Sequence, residues 1–308
     1  MTTTHSTLFD IHTSLSKFIY GTTRLGDDGI PFADRVAIAR AAMNAGVWFH
    51  TSDQYGSAQT VLHEAFSQDR ANVPSLIFKI GWSTIDELRG SIVKQLAAVG
   101  VDRLQIGQLC LGGQLADDLR TGGKGCDQMR ALKEEGIVDR YVLEVFPWTS
   151  EMPLDALRGG HVEGIVDAYI FYLNPLQRFA SNALWSLIVE RDFPIVAMRT
   201  VSGGDVHRLR DVPGAAWKPY LHDRAVEAAP IYERSGCSSW TEFCVRFAFG
   251  FPQVYATVGS TSNPANLSAF LSAAQHVEPL PPDIQNEIVQ LQHRWSDETD
   301  MHAEPWSM

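Results

Sequence analysis

Eight short apolar runs, helical patterns between most of them, and a chain of 308 residues without linker or low-complexity tract predict a (β/α)8 TIM barrel. Near-continuous apolar runs are what strands covered on both faces require. Regular alternation over eight strands favours a closed barrel over an open doubly wound sheet. The barrel is expected as a single domain over residues 1–308, with residues 1–14 as an N-terminal extension. A long loop should follow strand 7, and residues 280–308 should hold an extra helix and a tail.

The expected strands, in order, are "KFIYG" (17–21), "VWFH" (47–50), "SLIFKI" (75–80), "QIGQLCL" (105–111), "RYVLEV" (140–145), "IVDAYIF" (165–171), "FPIVAM" (193–198) and "QVYATVG" (253–259). "FADRVAIARAAMNAG" is helical and stops at Gly46, a residue suited to a helix C-cap. "TIDELRGSIVKQLAAVG" opens with Thr84 and Glu87 in capping-box spacing. "CDQMRALKEEG" ends on Gly136, and "NPANLSAFLSAA" begins with Asn263 as cap and Pro264 at the first helical position. "WTEFCVRFAFG" supplies the helix before the eighth strand, and "PPDIQNEIVQLQHRW" is the helix outside the repeat.

Composition removes several function classes. Hydrophobic residues make up 45% of the chain and charged residues 20%, an ordinary balance for burying a large core. The formal charge of −11, from 25 basic and 36 acidic residues, argues against a nucleic-acid partner, which needs clustered Lys and Arg. No basic amphipathic run points to a membrane surface, and no segment has the length of a membrane span. Cys110, Cys126, Cys237 and Cys244 show neither C-x-x-C pairing nor metal-ligand spacing, so reduced thiols in a cytoplasmic protein and no metal are expected.

In a barrel of this kind, chemistry belongs at the C-terminal ends of the strands. Those ends carry His50, Lys79, Cys110, Glu144, Arg199 and Gly259, with Tyr55 in the second βα loop. The stretch "WFHTSDQYGSAQTVLHEAF" (48–66) runs from a strand through a polar turn into a helix. A lysine inside the apolar "SLIFKIGW" run favours function, since strand interiors rarely carry an unpaired charge.

Five segments in common order resemble the aldo-keto reductase family, and the resemblance spans nearly the whole chain. They are "LSKFIYGTTRLG", "DRVAIARAAMNAGVWFHTSDQYG", "EEGIVDRYVLEV", "IVAMRTVSGG" and "TVGSTSNPANLSAF". The resemblance implies reduction of a small carbonyl compound by NAD(P)H bound across the barrel mouth. It also implies a tetrad of aspartate, tyrosine, lysine and histidine. The tyrosine falls on Tyr55 and the lysine on Lys79, while the aspartate position holds His50 and the histidine position Cys110. A lysine ammonium favours phenolate, so Lys79 is expected to lower the pKa of Tyr55 and make it the proton donor. His50 either orients the ammonium as a neutral acceptor, acts as an acid–base group titrating near neutrality, or fills space. Cys110 fills the volume of the family histidine with a weaker donor, and a nucleophilic thiolate is the less favoured reading.

On the cofactor side, the resemblance places Gly21 and Thr22 in the first turn, and Tyr169 near the support for the nicotinamide amide. Phe171 and Tyr172 follow, so stacking on a flat ring stays open. Gly203 and Gly204 allow close approach of a pyrophosphate, Arg199 supplies charge, and Gly259, Ser260 and Thr261 present N–H groups at a helix start. The family's serine–asparagine pair after strand five is absent, its nearest residues being Val145 and Phe146. "GSTSN" has no basic residue, so NADH is expected to serve at least as well as NADPH. Trp82 and Trp148 wall an apolar substrate pocket or pack on loops. The competing readings are a lyase or isomerase using His50 and Tyr55, and a regulatory protein that binds a nucleotide without turnover.

Overall fold

The structure, a computed structural model, describes residues 15–80, 85–110, 113–145, 151–202, 219–275 and 277–300. Nine strands are present among them: β1 (Phe18–Gly21), β2 (Trp48–Ser52), β3 (Leu76–Ile80), β4 (Leu104–Cys110), β5 (Val138–Glu144), β6 (Val166–Asn174), β7 (Gln177–Arg178), β8 (Ile195–Met198) and β9 (Val254–Ser260). All but β7 run parallel in the order β5-β4-β3-β2-β1-β9-β8-β6, and pairing of β5 with β6 closes the ring. The predicted barrel is therefore present. β7 is an antiparallel return on the long end of β6, with Leu173 opposite Arg178, and the sequence patterns do not announce it.

The helices are α1 (Phe32–Asn44), α2 (Ala58–Ser67), α3 (Ile85–Val99), α4 (Gly113–Thr121), α5 (Lys124–Glu134), α6 (Glu151–Gly159), α7 (Asn182–Glu190), α8 (Pro219–Arg234), α9 (Trp240–Phe249), α10 (Pro264–Gln275) and α11 (Pro282–Asp300). Two helices, not one, lie between β4 and β5 and again between β8 and β9. The expected caps at Gly46 and Gly136 adopt φ of 68° and 71°, the left-handed region that favours glycine. Asn263 caps α10 by accepting from the Ala265 N–H at 2.9 Å. Thr84, the expected cap of α3, lies outside the described residues, as do residues 1–14 and the tail beyond residue 300. Among the described residues no helix is long and apolar enough to cross a membrane.

Strand alternation sorts the core into two layers. Ile19, Trp48, Ile77, Ile106, Val142, Ala168, Ile170, Val196 and Val258 fill the inside of the barrel. Residues of opposite parity, such as Phe49, Phe78, Tyr141, Tyr169 and Phe171, pack outward against the helices. Stepping two residues beyond the inner layer reaches the mouth, where the inward positions are Gly21, His50, Ser52, Lys79, Gln108, Cys110, Glu144, Tyr172, Met198 and Ser260. The barrel thus delivers polar side chains to one rim above an apolar plug.

Candidate active site

The turn after β2 is built by its own polar groups. The Tyr55 N–H donates to the Ser52 carbonyl at 3.2 Å, and the Gln54 N–H to Ser52 Oγ at 3.1 Å. The loop after β1 then crosses this turn at close range. A Cβ on Gly26 would overlap the Tyr55 carbonyl, and one on Gly56, whose φ is 52°, would stand 2.7 Å from the Gly26 carbonyl oxygen. Two glycines in contact therefore set the height of Tyr55 in the mouth. The Thr23 hydroxyl hydrogen-bonds the phenol from the same loop.

Below Tyr55 lies a buried ion pair. Lys79 Nζ sits 3.1 Å from Glu144 Oε1, and the carboxylate is 1% exposed. The second oxygen, Oε2, accepts from the Cys110 thiol at 2.7 Å. Register explains the meeting: Lys79 is paired with Gln108 on β4, and Cys110 with Glu144 on β5, so the lysine reaches across β4. Burial opposes the Lys79 charge, but Glu144, with Cys110 and Tyr55 behind it, outweighs burial and raises the pKa above the ordinary lysine value. Burial and Glu144 together push the Cys110 thiol up, so a nucleophilic thiolate is not favoured here.

Tyr55 departs from the expectation of a lowered pKa. Burial raises it first, the Lys79 ammonium lowers it, and Glu144 and Tyr172 raise it again, leaving the phenol pushed up to about 12. His50 departs as well. It is buried in the middle of β2, which runs on to Ser52 past the expected strand end, with Nε2 2.6 Å from Gln108 Oε1. Burial lowers its pKa to about 4, with the hydrogen bond to the Gln108 carbonyl oxygen opposing and the Lys79 charge reinforcing the fall. A group titrating near neutrality is therefore not present at this position, and its partner is Gln108.

On the opposite rim, Gly21 stands in register with His50 on one side and Ser260 on the other. The Thr22 N–H donates to the His50 carbonyl at 3.0 Å and its hydroxyl to Thr51 Oγ1 at 2.8 Å, locking it between strands. Ser260 Oγ accepts from the Arg24 N–H at 3.0 Å. Thr261 is buried, its carbonyl accepting from the Tyr20 phenol at 2.6 Å and its Oγ1 from the Asn263 N–H at 3.0 Å. Arg199 holds a left-handed backbone, φ 46°, rare for a side-chain-bearing residue, with its carbonyl taken by Asn174 Nδ2 at 3.0 Å. Its guanidinium lies 5.0 Å from the centre of the Tyr172 ring, which also stacks on Phe179 at 4.5 Å.

Two sequence assignments are corrected by parity. Tyr169 faces outward, fully buried in the helix-side layer against Phe193, and does not reach the mouth; Tyr172 does. Gly259 also faces outward, where a Cβ would meet the Phe270 ring of α10 at 2.5 Å, so its missing side chain serves helix packing. Trp82, Trp148, Gly203 and Gly204 lie outside the described residues. Glu144 is legible in the sequence as a strand end without a role, while Gln108, Thr23 and Gly26 carry no sequence signal of their own. The signal for Glu144 was the one used for Lys79, a charge inside an apolar run.

A family model described as "Aldo/keto reductase family" matches residues 17–292. The chain belongs to the aldo/keto reductase family. With that membership goes its class, an NAD(P)-linked oxidoreductase of carbonyl compounds. Solved structures agree in fold. An aldo-keto reductase from Bacillus halodurans in its holo form is 18% identical, with a TM-score of 0.67 over 90% of this chain and 92% of that one. A putative 2,5-diketo-D-gluconic acid reductase B is 14% identical, with a TM-score of 0.65 over 90% and 88%. An aldo/keto reductase from Klebsiella pneumoniae, in complex with NADP and acetate, is 15% identical, with a TM-score of 0.64 over 90% and 92%. A comparison with curated protein sequences finds no match.

The residues present fit a dinucleotide at its phosphate end. Along the β8–β9–β1 rim Arg199 offers a cation and Ser260 a hydroxyl, while the Arg24 guanidinium is engaged by Asp27 at 3.4 Å. Val145, just past β5, is buried and gives its N–H to the Ile170 carbonyl.

Two predictions follow from this geometry. Gly26→Ala must displace the turn bearing Tyr55, and should cost about 1–3 kcal/mol of stability together with most of the carbonyl-reducing rate. Gly90→Ala, where a Cβ meets nothing within 4 Å, should do neither. Thermal melts and initial rates of the two variants decide it, and equal behaviour would separate Gly26 from Tyr55. The second concerns pH. The folded-state value of His50, about 4, lies below that of an unfolded histidine, so the unfolded chain takes up the proton first. Stability is complete above about pH 6.5 and is lost as pH falls toward 4, by at most about 3 kcal/mol from this residue. Urea titrations of wild type and His50→Asn should diverge in slope over that window, and parallel curves would contradict the assignment.

Proposed function

We propose that Tyr55 delivers the proton in reduction of a small carbonyl compound, with Lys79 beside it and NADH serving at least as well as NADPH. The observation that carries this reading is the cluster of a phenol, a buried ammonium and a buried carboxylate at the barrel mouth. A bound reduced nicotinamide supplies a hydride to the carbonyl carbon. Tyr55 gives its hydroxyl proton to the carbonyl oxygen as that oxygen takes up the electron pair. The Lys79 ammonium and the Thr23 hydroxyl stabilise the phenolate that remains until solvent returns a proton. With its pKa near 12, Tyr55 is fully protonated at neutral pH and suited to donation; taking a proton from an alcohol in reverse needs alkaline conditions.

The cofactor reading is supported by the lack of a basic residue from Gly259 to Asn263, and by Asp27, which engages the Arg24 guanidinium at 3.4 Å. The lyase or isomerase reading needs His50 to titrate near neutrality, and its burial speaks against that. Arg199 and Ser260 are proposed to hold phosphate oxygens, while Gly21 and Thr22 shape the wall beside them.

The experiment is oxidation of NADH and of NADPH in the presence of a panel of small aldehydes, by wild type and Tyr55→Phe. Turnover with NADH at least equal to that with NADPH is expected in wild type. Tyr55→Phe should lose about 10²–10⁴ in rate with nucleotide affinity nearly unchanged. An undiminished rate in Tyr55→Phe would remove the phenol from the chemistry, and strong preference for NADPH would point to Arg24 or Arg199 as the 2′-phosphate ligand.

A further inference from the structure

We infer that Glu144 is the positioning residue of this site, keeping Lys79 charged and aimed at Tyr55 from the fifth strand, and that Cys110 clamps the carboxylate in place. The inference deepens the reading of Tyr55 and Lys79 above and rests on it.

Each part of the geometry assigns a task. Glu144 divides its two oxygens, Oε1 to Lys79 Nζ at 3.1 Å and Oε2 to the Cys110 thiol at 2.7 Å, so neither oxygen is free to rotate away. The Glu144 side chain is 1% exposed and that of Lys79 16%, so water does little to hold the ammonium. A lysine at such a depth tends to lose its proton unless a carboxylate stands beside it. Among the charged and titratable groups facing Lys79, His50 on β2 is neutral and turned to Gln108, Cys110 on β4 keeps its proton, and Tyr55 is a neutral phenol. Glu144 is thus the carboxylate hydrogen-bonded to the lysine, and Asp53, whose charge reaches Cys110, is a further anion near the mouth. The second-strand position, His50, contributes no charge, so the carboxylate comes from the opposite side of Lys79, across β4.

The location of the carboxylate makes the inference testable by moving it. His50 faces the same mouth as Lys79 from the neighbouring strand and feels its charge, so an aspartate there would put a negative charge on the β2 side of the ammonium. Glu144→Gln keeps the shape and removes the charge. Its kcat for aldehyde reduction should fall on the order of 10²-fold, with KM and dinucleotide affinity within about threefold of wild type. His50→Asp in the Glu144→Gln background should recover at least about tenfold of that loss, whereas His50→Asp alone, beside an intact Glu144, should gain nothing.

A second readout needs neither cofactor nor turnover. In protein carrying ¹³C-labelled lysine, the Lys79 ε-carbon should stay in its charged state through the alkaline range in wild type and titrate at least about 2 pH units lower in Glu144→Gln. A purely structural role for Glu144 would lower the melting temperature and leave that titration unmoved. Since a buried substitution risks the fold, Cys110→Ala is the companion: freeing Oε2 should lower kcat severalfold and shift the Lys79 titration downward by a smaller amount. Wild-type kcat in Glu144→Gln, an unshifted Lys79 titration in whichever variant folds, or no recovery in a folded double variant overturns the inference. If wild type itself reduces no aldehyde but the Lys79 titration shifts as described, the positioning role stands and the reading of the reaction falls.

Discussion

The mouth of this barrel depends on one interaction, the buried pair between Lys79 and Glu144. An ammonium and a carboxylate taken out of water separately are each penalised by several kcal/mol, and in proteins such groups neutralise rather than stay charged alone. Together, with a thiol hydrogen bond on the remaining carboxylate oxygen, they keep both charges at depth. Removing either partner from such a pair typically costs about 3–5 kcal/mol, because the survivor is left uncompensated. Burial sets the direction of the pKa shifts at the other mouth residues, and this pair modulates them. Lys79 presses down the pKa of His50, Glu144 lifts that of Cys110, and Tyr55 feels both with opposite signs.

The barrel converts that pair into a site by dividing labour around its rim. The arc from β2 to β5 carries Tyr55, Lys79, Cys110 and Glu144, and the arc from β8 through β9 to β1 carries Arg199, Ser260 and Arg24. A chain of formal charge −11 would repel an anionic dinucleotide at long range, so the phosphate contact proposed at Arg199 would have to act locally. The left-handed backbone of Arg199, held by Asn174, is strain concentrated where the guanidinium is aimed. The chemical arc is positioned by close backbone contact, Gly26 against the Tyr55 turn, which no flexible side chain can replace.

Much of this was legible in the chain itself, and the limits have physical causes. All eight barrel strands announce themselves because both faces are covered and the runs stay apolar. α4 is hidden by the glycines on either side of "QLADDLRT", and α8 by Pro230 inside it. Lys79 stood out as a charge in an apolar strand. Glu144 stood out equally, but nothing in one sequence says that two residues 65 apart in the chain share a hydrogen bond. Tyr169 lies three positions before Tyr172, an odd step that in a strand reverses the face, so Tyr172 occupies the mouth in its stead. His50 was legible as a histidine of the second strand, but that strand runs on to Ser52, and the depth of the imidazole, and with it the fall in its pKa, needs the third dimension.

The central claim is that a redistributed set of charges still serves hydride transfer to a carbonyl. The most direct measurement follows the hydrogen itself. Reduced nicotinamide dinucleotide carrying deuterium at the transferable ring position is incubated with the protein and a small aldehyde, and the alcohol formed is analysed by mass spectrometry. One deuterium on the carbinol carbon of every product molecule, together with a slowed rate where transfer limits turnover, is the predicted result. Product formed without the label, or dinucleotide consumed with no alcohol appearing, would contradict it.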